Sequence, residues 1–483
     1  MHIPNCLAAS ILVMATLPPT PATAQASRGA LARGTFAVSD VSVIPMTGDT
    51  MLRGATVLIR DGRIAAVGPN RSVKVPAGAR RLDGRGKYLI PGLADMHTHL
   101  FSDDAVPDSV APDELGVMVA NGVTAIRLMI GTPEHLRLRR EVIAGSTLGP
   151  QLWVASPQFA GKPYDNGLAI TTPEEARAAV RRVKADGYDF VKLTLFITRP
   201  VYDAIVDEAR QSGIRVIGHV EQEVGLARAI EAGQQIEHLD NYFESALADT
   251  APMKESVTQY GVFKPENWRS LDYIDDRKLD ALAGATARHR IWSSPTLNVF
   301  NQAFAIGMTD AEIRGRPDWH MMPADWRDLY LKARTKYWAT PANERRRRRY
   351  VEVRNHLVKA IADSGGKILA GSDSPEWFHV YGWALHRELA SYVGAGLTPY
   401  QALETATRNP AEFLGALEEW GTIEPRKRAD LVLLAANPLE DITATERIEG
   451  VSVGGHWLPK AELAAMIRRA SERMAGAPPD SLR

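Results

Sequence analysis

Cysteine is all but missing from this chain: there is one, Cys6, close to the N-terminus. The remainder can therefore hold no disulfide, no thiolate metal ligand and no Cys nucleophile. Net charge is missing as well. Fifty-seven basic residues balance 57 acidic ones, a formal charge of +0, so nothing recommends nucleic acid or an anionic membrane as partner. Long apolar runs are absent too; the stretch from Cys6 to Leu17 is too short to span a bilayer. No Gly-x-Gly-x-x-Gly follows an early strand, which disfavours a dinucleotide-binding open sheet. No nucleophile elbow of the Gly-x-Ser-x-Gly kind is read for a serine triad. What remains is a chain of 483 residues, 45% hydrophobic and 24% charged, ample for one large core and a satellite domain. Any metal must be held by His and carboxylates, which favours zinc or a similar divalent ion.

Against these absences one stretch stands out, Tyr88-Leu-Ile-Pro-Gly-Leu-Ala-Asp-Met-His-Thr-His-Leu100. An apolar run meets a Pro-Gly break and then delivers His97 and His99, one residue apart. Side chains at i and i+2 of an extended strand point to the same side. Both imidazoles can thus reach one metal from a strand end, with Asp95 on that side to support them. Taken alone, His-x-His is also what two polar residues at a strand terminus look like. The rest of the chain decides between the two.

Residues 1–26 read as an export signal, with Cys6 to Leu17 as the apolar core and Ala22-Thr23-Ala24 as a small-x-small cleavage site. The expectation is an exported protein, periplasmic or secreted. Residues 27–86 turn to short strands. Ala55–Arg60 and Arg63–Val67 flank Asp61-Gly62, a strong hairpin signal because Gly accepts positive φ. Short strands return at 416–459, in Ala429–Leu434 and Gly450–Val453. The two ends are expected to build one small β-sandwich. A helix and a Gly-Ala-Pro-Pro tail follow from 460 to 483.

Between them, over 87–415, strands and helices alternate. Candidate strands are Tyr88–His97, Thr124–Met129, Gln151–Ser156, Phe190–Leu195, Arg215–Val220, Gln235–Asp240, Ile291–Leu297 and Lys367–Asp373. Helices separate them, among them Thr172–Asp186, opened by Thr-Pro-Glu-Glu, and Val201–Gln211. Eight such units predict an α/β fold, a (β/α)8 TIM-like barrel whose site lies at the carboxyl ends of its strands. The polar residues fall there: His97 and His99 end strand one, and Lys192 interrupts the apolar strand four. His219, His238 and Asp373 end strands five, six and eight. Strand seven offers no ligand. Around it, over about 242–350, lies an insertion rich in tryptophan (Trp268, Trp292, Trp319, Trp326, Trp338), read as a helical elaboration or as a wall of the substrate pocket. Its run Arg345–Arg349 reads as a solvated helix surface.

Together these motifs resemble the metal-dependent amidohydrolase superfamily, nearest its imidazolonepropionase-like and Xaa-Pro dipeptidase-like branch. The matching pieces are Pro91-Gly-Leu-Ala-Asp-Met-His-Thr-His, Gly122-Val-Thr-Ala-Ile-Arg127, the Lys192 strand, His219, Glu237-His238, Gly371-Ser-Asp373, Ala395-Gly-Leu-Thr-Pro399 and Ala406-Thr-Arg-Asn-Pro-Ala411. The resemblance implies a metallo-barrel in which His97, His99 and Asp373 hold one ion and His219 and His238 a second. Lys192, carboxylated on its amine, would bridge the two divalent ions, with zinc the ion expected from the donors. A carbamate offers two anionic oxygens across a metal pair about 3.5–4 Å apart. One departure is noted: many relatives have glycine after the Glu-His pair, where this chain has Leu239-Asp240.

The chemistry implied is hydrolysis of an amide or peptide bond by metal-activated water, with Asp373 as general base and then acid. Small dipeptide or N-acyl amino acid substrates are expected, with Tyr242 and Arg127 as candidate contacts to a free carboxylate. A deaminase or cyclic amidohydrolase acting on a ring is the alternative. A non-catalytic exported binding protein on the same barrel is the alternative of another class. Exposed barrel helices also permit a homo-oligomer.

Overall fold

The computed structural model describes residues 34–103, 108–163, 167–252, 256, 261–262, 264–304, 308–338 and 340–476; the export segment expected at 1–26 lies outside the described residues. Asp61 and Gly62 both take positive φ, 51° and 80°, the backbone of a two-residue turn whose twist suits the flanking strands. Leu52–Arg60 and Arg63–Pro69 pair antiparallel across it, Arg60 opposite Arg63. They belong to one eight-stranded mixed sheet. Its order runs His456–Pro459, Ile448–Val453, Leu431–Leu434, Tyr88–Pro91, Phe36–Val43, Leu52–Arg60, Arg63–Pro69, with Arg80–Asp83 alongside Phe36–Val43. Strands from near both chain ends thus share a single sheet, where a two-sheet sandwich was expected. Period-2 alternation supplies the reason. Leu431 and Leu433 pack with Val38, Val57 and Ile59 in a small core, while Val432 and Leu434 join the main one. One layer serves two cores.

The expected strand Tyr88–His97 is two strands. Pro91 has no N–H for a ladder, so Tyr88–Pro91 ends in the mixed sheet beside Leu431–Leu434. Leu93–Thr98 then opens the parallel array at the centre of the molecule. We label that array β1 (Leu93–Thr98), β2 (Val123–Leu128), β3 (Gln151–Val154), β4 (Phe190–Leu193), β5 (Arg215–Gly218), β6 (Gln235–Glu237), β7 (Trp292–Ser294) and β8 (Lys367–Ile368). β1, β2, β4 and β6 are buried along their whole length, as strands of a parallel array covered on both faces are.

β1 to β3 form a three-stranded parallel sheet; β4 to β8 lie in a seven-stranded one completed by Gln158–Ala160 and Gly167–Ala169. The unbroken eight-stranded barrel ladder predicted from the strand count is therefore not what regular pairing shows. Between β3 and β4 the ladder shrinks to an Ala155–Phe190 bridge, where Pro157 interrupts the strand; the chain resumes as Gln158–Ala160 beside β4. Between β8 and β1 a Thr98–Ser374 bridge and lone hydrogen bonds take over, Met96 N–H to Ala370 O at 2.8 Å and Asp373 N–H to His97 O at 2.7 Å. Asp373 leaves the extended conformation with φ 53°, so β8 cannot continue as a regular strand past its carboxyl end.

Helices return between the strands. Pro173–Asp186 opens with the expected capping box between Thr172 and Glu175 and closes at Gly187, φ 93°. The long segment between β6 and β8 holds five helices of note: Asp276–Arg288, Leu297–Phe304, Asp310–Arg314, Ala324–Ala333 and Pro341–Asp363. The arginine run lies on the last of these. Arg345 and Arg346 pair with Asp272 and Arg349 with Asp276, while Arg347 turns inward and is buried beside Glu344. Among the described residues no helix is long and apolar enough to cross a membrane.

Candidate metal centre

β1 delivers His97 and His99 as its spacing requires, and the turn after β8 swings Asp373 against both. Asp373 Oδ1 lies 3.2 Å from His97 Nε2 and 3.3 Å from His99 Nε2. Among the described residues these three are the group whose donor atoms all lie within 4.8 Å of one another. Two ligands sharing a tetrahedral ion at about 2.0–2.1 Å have donor atoms roughly 3.3–3.4 Å apart, so the spacing suits a divalent ion. The close approach depends on Gly371: a Cβ there would come 2.6 Å from His97 Cβ and 2.4 Å from Ser294 Oγ.

What orients the rings lies one layer out. Glu237, buried at the end of β6, accepts from Arg127 at 2.6 Å on one oxygen. Its other oxygen lies 2.6 Å from His97 Nδ1. Burial alone would raise the Glu237 pKa, but Arg127 and His97 hold it far below the carboxylate range. An ionised carboxylate only accepts, so His97 Nδ1 carries the proton and Nε2 is left for an ion. His219 repeats the device, Nδ1 to Asp240 at 2.7 Å, and His238 Nδ1 sits 2.7 Å from Thr296 Oγ1. The His219 and His238 rings stack at 4.9 Å, and His238 lies 4.6 Å from His97. Asp95 supports from beneath. Its oxygens accept from His97 N–H, Ser372 N–H and Ser372 Oγ, tying β1 to the turn after β8.

The electrostatics follow from burial and from this crowding. Burial drives the His238 pKa well below its ordinary value, the neighbouring imidazoles adding to the effect against Asp373. Burial would raise Asp373, yet His97 and His238 hold it well below the carboxylate range, so it stays an anion. Lys192 is 2% exposed, and desolvation pushes its amine below the usual lysine value against the pull of Glu237 and Asp373. Backbone strain collects here too: His238, Leu239, Asn241, Asp373, Trp377 and Phe378 all have positive φ, a cost tolerated where surrounding structure over-determines the site. Leu239 takes φ 60°, and its neighbour Asp240 is the His219 partner.

His97, His99, Lys192, His219, His238 and Asp373 all line one cavity of about 200 Å³. All six therefore share a cavity, with the second set looser than the first. The two substrate contacts expected from sequence do not reach it. Tyr242 is fully buried with its hydroxyl 2.6 Å from Thr286 Oγ1. Arg127 is sealed beneath the floor, its donors spent on Met96 O, Gln235 Oε1 and Glu237 Oε1. Neither lines the cavity, because both turn to the side of their element that faces the interior packing. Nor do the described tryptophans of the insertion; Trp377 and Phe300 are the aromatic members of the wall. Sequence reading missed these two, and also Asp240 and Thr296, since nothing local marks a residue whose partner lies tens of positions away. It also passed over Gly450-Val-Ser452-Val-Gly454, which spells the serine-nucleophile pattern. Ser452 sits inside the strand Ile448–Val453, buried, with its hydroxyl donated to Ala429 O. No strand-to-helix elbow exists there, so the serine is structural.

The Amidohydrolase family model matches residues 88–458. An enamidase from Eubacterium barkeri is 30% identical over 395 residues, 80% of this chain and 82% of that one. An adenine deaminase from Rubrobacter xylanophilus (strain DSM 9941 / JCM 11954 / NBRC 16129 / PRD-1) is 23% identical over 448 residues; the match takes in 90% of this chain but spans only 60% of that protein's length. Among solved structures, a prolidase candidate from Bifidobacterium longum superposes with TM-score 0.64 at 27% identity, covering 91% of this chain and 99% of that one. Imidazolonepropionases match over shorter stretches. The fold, the histidine–carboxylate cluster and these similarities agree: the chain is an enzyme of the amidohydrolase family, in its imidazolonepropionase-like and Xaa-Pro dipeptidase-like branch, a hydrolase acting on carbon–nitrogen bonds.

Proposed function

We propose that this protein hydrolyses an amide bond in a small substrate with the help of a divalent ion, zinc by the chemistry of the donors. The observation that carries the reading is the convergence of His97 Nε2, His99 Nε2 and Asp373 Oδ1 within ligand spacing in the lining of one cavity. His97, His99 and Asp373 would hold one ion; His219 and His238 would hold a second, with Lys192 between the two as its carbamate. Desolvation supports that role, since only the neutral amine takes up carbon dioxide. When bound, such ions polarise a carbonyl and bring the pKa of water towards neutrality. The side chains do the rest. Glu237 and Asp240 fix the tautomers of His97 and His219. Asp373, held ionised, accepts the proton of the attacking water and delivers it to the departing nitrogen as the C–N bond breaks.

We also infer that the two parallel sheets act as one (β/α)8-type scaffold and that residues 1–26 direct export. Metal analysis joined to activity tests the main reading. Metal-replete protein should cleave small amides, lose that activity on chelation and regain it with zinc. A His97→Ala, His99→Ala double variant that keeps full activity would refute it. One ion per chain at saturation, with Lys192→Ala fully active, would remove the second site alone. A deaminase is the second reading, favoured by the similarity to an adenine deaminase; release of ammonia from heterocycles without amide cleavage would establish it instead.

A further inference from the structure

Two polar side chains of the cavity have no partner in the protein. Gln158 and Thr194 line it and are only 8% and 3% exposed. Among the described residues neither side chain makes a hydrogen bond, and their polar atoms open into the cavity instead of being sealed in the packing. Buried side-chain polar atoms are nearly always paired, because an unmade hydrogen bond leaves the cost of desolvation uncompensated. The strands explain the placement. Gln158–Ala160 pairs with β4 through Phe159 and Leu193, and Thr194 N–H donates to Phe159 O at 2.9 Å. Phe159 and Leu193 turn into the main core. By alternation Gln158, Lys192 and Thr194 share the opposite face, which fronts the cavity. Gln158 and Thr194 thus flank Lys192, among the residues that would hold the ions.

An amide whose carbonyl is turned to the histidines and Asp373 presents its nitrogen to the rest of the wall. Ile130, Leu195, Val299 and Phe300 offer no side-chain acceptor, and the Trp377 indole only donates. Glu376 is itself engaged within the protein. Gln158 supplies a carbonyl acceptor, and Thr194 a hydroxyl that accepts as well as donates. Resting on the amide-hydrolase reading, we propose that these two side chains anchor the N–H of the amide being cleaved. Gln158 Oε1 accepts that N–H, and Thr194 Oγ1 is the acceptor for the second N–H of a primary amide. The site therefore takes primary and secondary amides and rejects those whose nitrogen is fully substituted, the proline-type bond included. A site built to pair a substrate N–H disfavours the analogue lacking it, because its own buried polar atoms then stay unpaired.

The probes are phenylacetamide, its N-methyl and N,N-dimethyl derivatives, and methyl phenylacetate, which carries oxygen in place of the N–H. Phenylacetate release by metal-replete protein reports cleavage, and calorimetry on the same protein reports binding. The N-methyl amide should be bound and cleaved about tenfold or more better than the N,N-dimethyl amide. Gln158→Leu keeps the size and removes the acceptor. It should erase that margin, and lower kcat/KM for the N-methyl amide about tenfold more than for the ester. Thr194→Val should lower kcat/KM for phenylacetamide more than for the N-methyl amide. Amide cleavage with no margin, a margin that survives Gln158→Leu, or equal losses on amide and ester overturn the Gln158 anchor and leave hydrolysis standing; water alone then meets the Gln158 carboxamide. Equal losses on the two amides in Thr194→Val overturn the Thr194 contact. A binding margin erased by Gln158→Leu, with no amide cleaved, overturns the hydrolase reading and leaves the anchor in place. Neither binding nor cleavage of any probe overturns both.

Discussion

Arg354 is fully buried on the helix Pro341–Asp363 and donates to backbone carbonyls at the ends of two strands: His238 O at 2.7 Å, and Pro295 O and Thr296 O beyond β7. It makes no ion pair among the described residues and stacks over Phe300. Consider Arg354→Met, which keeps much of the volume and removes the guanidinium. At least two buried carbonyls lose their donor, at about 1–3 kcal/mol each, and a desolvated cation–π contact worth about 2 kcal/mol goes with them. Relief from burying a charge returns part of this, several kcal/mol at most. We expect a net loss of roughly 2–4 kcal/mol in chemical denaturation. Function should fall beyond what stability explains. His238 holds φ 57° with its carbonyl gripped by Arg354, so the folded variant should retain metal less well. Arg354→Lys should restore the charge but not the three-carbonyl reach, and so rescue only partly. Stability within about 0.5 kcal/mol of wild type, with metal content and kcat/KM unchanged, would show that the clamp carries nothing.

Glu237→Gln removes the negative charge and turns one of its two accepting oxygens into an NH2 donor, so Arg127 and His97 Nδ1–H can no longer both be accepted; metal affinity should drop about 10–100-fold, measured by chelator competition, and unchanged affinity would refute the role. Gly371→Ala places a Cβ 2.6 Å from His97 Cβ and should abolish metal retention or folding, whereas Gly394→Ala, with nothing within 4 Å, should behave as wild type; similar behaviour of the two would contradict the packing argument. His386 is buried between Thr445 Oγ1 and Asn121 O, each at 3.0 Å, and burial depresses its pKa from 6.5 to about 4. A folded pKa below the unfolded one means stability is complete above pH 6.5 and is lost as pH falls through 4, by roughly 3 kcal/mol. His386→Gln should flatten that acid limb in denaturation curves, and parallel limbs for variant and wild type would exclude it.

Local chemistry was legible in the sequence wherever the cause is local. The His97–His99 pair converges because a strand has period 2. Asp61-Gly62 turns because both positions accept positive φ, and Thr172 with Glu175 caps a helix because three residues make one turn. Polar residues ending apolar runs marked the carboxyl ends of β1, β4, β5, β6 and β8, since a strand buried on both faces tolerates them only there or in a site. Tertiary structure decided everything that needs a partner far along the chain. His97 finds Glu237 140 positions away, and Tyr242 gives its hydroxyl to Thr286 rather than to a substrate. Arg127 turns under the floor because Glu237 awaits it there. β2 is buried on both faces, so no alternation in its sequence says which side an arginine takes. The cavity's aromatic wall came from Phe300 and Trp377 and not from the described tryptophans of the insertion, because braces on separate helices set which rings face the cavity. Pairing along a strand is written in periodicity; which face meets the cavity is settled only when the sheets and helices close around it.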